Sequence, residues 1–64
     1  MDEKTFAAKL KALATYYDED APISKVVDSA LIDLERLGIK ADKEELIKFL
    51  YLHEIEIQGI KEKL

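Results

Sequence analysis

The spacing of apolar residues over the last third of the chain is the feature that most limits its fold. Leu46, Leu50, His53, Ile57, Ile60 and Leu64 follow one another at intervals of 4, 3, 4, 3 and 4, which aligns them along one side of an α-helix with a single histidine in the seam. Phe49 lies on the same side, while Ile47, Tyr51, Leu52 and Ile55 cover much of the other. Such a helix is apolar nearly all round and calls for burial nearly all round. A chain of 64 residues has little else to bury it with, since so small a domain hides only about 60% of the surface its unfolded form exposes. The expectation is a homodimer, with Leu46, Phe49, Leu50, His53, Ile57 and Ile60 at the dimer interface.

The rest of the chain also reads as helical. Phe6, Leu10, Leu13 and Tyr17, at spacings of 4, 3 and 4, predict a first helix over about 2–17, capped by Asp2 and flanked by the small Ala7 and Ala14. Lys4, Lys9 and Lys11 fall on or near its solvent side. Asp18-Glu19-Asp20-Ala21-Pro22 is a boundary: acids oppose the dipole at a helix C-terminus and suit it at the next N-terminus. Asp20 is the expected cap there, and proline is tolerated in a first turn. Ile23, Val27, Ala30, Leu34 and Leu37 define a second helix over about 21–37, with Gly38 as a left-handed C-terminal cap and Ile39 as its hydrophobic partner.

A third helix over about 42–61 opens with Asp42 and Glu45 in capping-box spacing. Ile55 to Gly59 alternates like a short strand, and Gly59 costs about 1 kcal/mol inside a helix. The seam nevertheless continues beyond it, so helix is expected with its end frayed or bent near Gly59. The fold class is therefore all-α: one three-helix domain over 1–64, paired into a bundle through its third helix. Asp42 to His53, with its capped acidic start followed by an aromatic and leucines, is similar to the second helix of the dimerisation hairpin of the SinI and SinR sporulation regulators. The resemblance spans 12 of the 64 residues, and no functional residue is carried across from it.

Composition removes several alternatives. There is no cysteine and only one histidine, so disulfides, thiolate sites and a one-chain structural zinc site are excluded, and a reducing, cytoplasmic setting fits. The longest uncharged apolar run, Phe49 to Leu52, is far below the roughly 20 residues of a membrane span. Met1 to Lys4 lacks the basic character of an export signal. Net charge is −4 and uneven: +1 over residues 1–17, −4 over 18–38 and −1 over 39–64. Phosphate backbones are repelled by the middle third, which argues against direct nucleic-acid binding.

Motifs for chemistry fail one by one. A zinc-protease pair needs a second histidine where Ile57 stands, and a di-iron helix needs glutamate where Leu50 stands. A calcium loop starting at Asp18 meets Ile23 and Ser29 in place of its glycine and bidentate glutamate. Ser24 and Ser29 have no histidine nearby in sequence, Asp28, Asp33 and Glu35 read as solvated carboxylates, and Gly38 and Gly59 are too isolated for a phosphate loop. Neither an enzyme nor a cofactor is expected. His53 could make an assembly pH-sensitive, and Tyr16, Tyr17 and Tyr51 could anchor an interface.

These residues point to a small acidic helical module that binds protein, as a dimeric adaptor or regulator of the inhibitor or antagonist type. Its partners would be itself and another protein reached through Asp18, Glu19, Asp20, Asp28, Asp33 and Glu35. Two alternatives are a structural self-assembly unit, and a nucleic-acid mimic filling the basic groove of a DNA-binding protein.

Overall fold

A computed structural model describes all residues, 1–64, and contains four helices and no strand: α1 (Glu3–Tyr16), α2 (Ile23–Arg36), α3 (Lys43–Leu52) and α4 (Glu54–Glu62). α1 starts as its sequence requires. The Asp2 carboxylate accepts from the Thr5 amide at 2.7 Å, satisfying a donor that the first turn leaves free. Hydrogen bonding from the Thr5 side chain and then from its amide, with the nearby α-amino group, holds the Asp2 carboxyl below its ordinary value of 3.8. A depressed carboxylate pKa stabilises the fold above the unfolded value, and the contribution fades as pH falls through the folded one. Asp2→Ala should therefore lower the thermal midpoint near neutrality, with the gap from the parent closing below about pH 3.8; circular dichroism melts across pH measure it.

α2 begins at Pro22, not at Asp20. Pro22 occupies the cap position with φ −60°, and its carbonyl accepts from the Lys25 and Val26 amides. Asp20 stays in the connection, where its own amide donates to the Asp18 carboxylate at 3.0 Å. At the far end the expected cap is present in full. Gly38 sits at φ +77°, its amide reaches the Glu35 carbonyl, and the Ile39 amide reaches back to Leu34 at 2.9 Å. This is the paired-bond ending that only a residue free to adopt positive φ supplies without strain. Asp42 holds the cap position of α3, but its side chain accepts no cap bond; the capping box expected with Glu45 does not form.

The third helix differs most from expectation. It is two helices, broken at His53 (φ −118°, ψ 24°) rather than at Gly59, which lies inside α4. Length gives the reason. A continuous helix over residues 43–62 would run about 30 Å at 1.5 Å per residue, while α1 and α2, of 14 residues each, are only about 21 Å long. The break lets α3 lie against α2 while α4 turns to lie against α1, so both halves of the seam find cover within a molecule 28 Å in its longest dimension. Gly59 has no neighbour that an added Cβ would meet. Gly59→Ala should thus stabilise the domain by about 0.8–1 kcal/mol through helix propensity, read as a higher urea midpoint with unchanged slope.

The core is a single cluster drawn from all four helices, with Leu13, Val27, Leu34, Leu50 and Ile57 at 0% exposure. Lys9, expected near solvent, is instead only 5% exposed. Its stem is covered and its ammonium stands 6.0 Å from the Phe49 ring centre, at the outer reach of a cation–π contact.

Candidate interaction surfaces

The seam assigned to a dimer is used inside one chain. Leu46, Leu50 and Ile57 are fully covered by the chain's own helices, and Phe49, His53 and Ile60 are half-buried against the same core. Phe6 of α1 supplies much of that cover. Its ring meets Phe49 edge-on at 5.3 Å and His53 at 5.0 Å, and Phe49 and His53 are 4.6 Å apart. These separations are typical of favourable aromatic pairs. In this fold the six residues are therefore core and core margin of a single chain.

His53 sits at the break between α3 and α4, its ring against those of Phe6 and Phe49. Its Nδ1 lies 3.1 Å from Glu56 Oε1; a carboxylate can only accept, which places a ring proton on Nδ1. Glu54 and Glu56 also put negative charge at the N-terminal turn of α4, where the helix dipole favours it. Midway along α4, Gln58 Nε2 donates to the Tyr17 hydroxyl at 2.9 Å, tying that helix to the end of α1. Tyr17 is thus a partly buried structural residue.

What remains open is the opposite side of the α3–α4 corner. Tyr51 is 60% exposed, Leu52 77% and Ile55 86%. Lone apolar residues on a surface are ordinary, but here three large ones fall within five positions. The all-round apolar pattern is resolved unequally: the seam is enclosed except for Leu64, 67% exposed at its end, and on the other side Ile47 packs against the core while Tyr51, Leu52 and Ile55 face solvent.

The six acids are not gathered on one surface. Asp18, Glu19 and Asp20 line a shallow depression beside Tyr17, Gln58, Lys61 and Glu62 at the end of α4. Asp28 pairs with Lys43 at 2.9 Å, joining α2 to the start of α3. Asp33 faces α1, 3.9 Å from Arg36 on its own helix, and Glu35 points away beside Leu31 and Ile39. Hydrogen bonding to Asp33 and its negative charge hold the Tyr16 phenol above its ordinary value of 10.0.

Comparison with protein-family models, curated proteins and solved structures finds no match. No group of three or more histidine, cysteine or acidic side chains is close enough to hold a metal, and no helix is long and apolar enough to cross a membrane. The polar groups at hand are surface ion pairs and caps. The large exposed residues are the ones without an internal explanation.

Proposed function

We propose that this protein acts by contact with other proteins, as a dimeric adaptor or regulator, and that its contact face is the outer side of the α3–α4 corner. One observation carries this reading: the cluster of Tyr51, Leu52 and Ile55, each more than half exposed. Large apolar residues grouped on a surface favour association, and tyrosine suits an interface because it adds a wide ring with a hydroxyl that can stay wet. Charged residues border the cluster, with Glu44, Glu45 and Lys48 on α3 and Glu56 on α4 all exposed. An apolar centre with a polar rim is the common anatomy of a reversible interface.

A second copy of the chain is the first occupant to test, because it needs only the same face presented twice about a two-fold axis. Three side chains at roughly 150–200 Å² each fall short of the roughly 800 Å² per partner of a standard stable interface. The dimer is accordingly weak and reversible, which suits exchange with a foreign partner in a regulator of the antagonist type. The scatter of the six acids over separate surfaces counts against mimicry of a nucleic acid. Sedimentation equilibrium from micromolar to millimolar chain tests the reading: mass should climb from 7.3 kDa toward twice that value, and a flat single-chain mass throughout would refute the dimer.

A further inference from the structure

The sequence suggests that any foreign partner would meet an acidic surface. The one apolar groove between α1 and α2 is different. Ala8 and Ala12 form its floor, Lys11, Thr15 and Arg36 stand along it with Asp33, and Leu37 projects at its edge with 66% exposure. No residue of the α3–α4 outer face takes part in it. Along α1 the strip Lys4, Ala8, Lys11 and Thr15 repeats at 4, 3 and 4, so the edge contributed by that helix is basic with no acid in it. Across the groove, Asp33 is the one carboxylate, and it lies 3.9 Å from Arg36 on its own helix. The Arg36 contact, at 3.9 Å with its side chain 78% exposed, is too long for a hydrogen bond. Its guanidinium therefore keeps its donors for a carboxylate from outside. A chain with net charge −4 thus carries a locally positive, apolar-floored groove of about 390 Å³.

We propose that this α1–α2 groove is a docking site for an acidic amphipathic helix of a partner protein, its apolar side over Ala8, Ala12 and Leu37 and its carboxylates against Lys11 and Arg36. Charge decides the occupant. A basic helix would bring like charge to Lys11 and Arg36 with Asp33 alone to meet it, and a wholly apolar one would leave the two cations without partners on it. A helix fits the shape, since the trough between two packed helices accepts the ridge of a third. The site is independent of the dimer face, so either can fail alone.

The test uses the full chain, ¹⁵N-labelled, titrated with a synthetic amphipathic helical peptide of leucines on one side flanked by glutamates, and with its lysine counterpart. Saturable shifts centred on Ala8, Ala12, Thr15 and Leu37 are expected with the glutamate peptide only. Binding should weaken at least about tenfold with Lys11→Glu plus Arg36→Glu and also in high salt. The exposed, charge-preserving pair Lys11→Arg plus Arg36→Lys should retain it, and so should Leu52→Asp plus Ile55→Asp, which addresses the other face. Absence of saturable shifts, equal binding of the lysine peptide, or shifts centred on Tyr51 and Ile55 would overturn the proposal. Concentration-dependent shifts at the groove without peptide would also overturn it, by assigning the groove to a second copy.

Discussion

Leu50→Ala should cost about 2–5 kcal/mol of folding free energy, the range for truncating a fully buried leucine, and so leave much of the population unfolded in plain buffer. Leu50 is 0% exposed and belongs to the cluster shared by all four helices. A single core in a chain this short rarely supplies more than about 3–5 kcal/mol in total, so one cavity of this kind removes most of it. Leu50→Asp goes further by enclosing a carboxylate, which must either stay charged in an apolar site or take up a proton. Far-UV circular dichroism with urea titration measures both variants. The competing picture, in which Leu50 lies between two chains, gives a different result: an aspartate there would yield a folded monomer with full helical signal. Finding that monomer would show the seam to be intermolecular after all.

Periodicity reports which residues share a helix face and not how helices meet. The start of α1 at Asp2 and the end of α2 at Gly38 and Ile39 were legible, because each depends on bonds between residues a few positions apart. The apolar stripes of α1, α2 and the C-terminal third were legible for the same local reason. The break at His53 was not. Its cause is the length of α1 and α2, a tertiary quantity, and the local cost attached to Gly59 pointed six residues too far along.

The same limit explains why the seam expected to face a second chain is covered within one. Spacing placed Leu50 and Ile57 on one side and Tyr51 and Ile55 on the other, but nothing in the spacing says which side meets α1. Phe6, counted only as a stripe residue of its own helix, is what closes the inner side. Net charge was equally blind to place. Summed over residues 18–38 it describes an acidic segment, although Asp28 and Asp33 have partners on different sides of α2 and Lys11, from another segment, turns the α1–α2 groove positive.

Leu52→Asp combined with Ile55→Asp should leave the fold intact and abolish self-association, the reverse of the outcome at Leu50. Neither side chain contributes to the enclosed core, so the combined change in folding free energy should stay within about 0.5–1 kcal/mol. Helix electrostatics also tend to cancel. Ile55 lies in the first turn of α4, where an acid is favoured, and Leu52 ends α3, where an acid is opposed. On the association side, central apolar anchors are commonly worth about 2 kcal/mol or more each. Removing two and adding like charges across a two-fold axis raises the dissociation constant by roughly a thousandfold, beyond the reach of a weak dimer at any practical concentration. Sedimentation should then give a single-chain mass at millimolar concentration alongside an unchanged urea midpoint. A dimer that survives the double substitution would place the contact elsewhere and remove the reason for assigning it to Tyr51, Leu52 and Ile55. A joint loss of helix and mass would show instead that the outer side of the corner supports the fold.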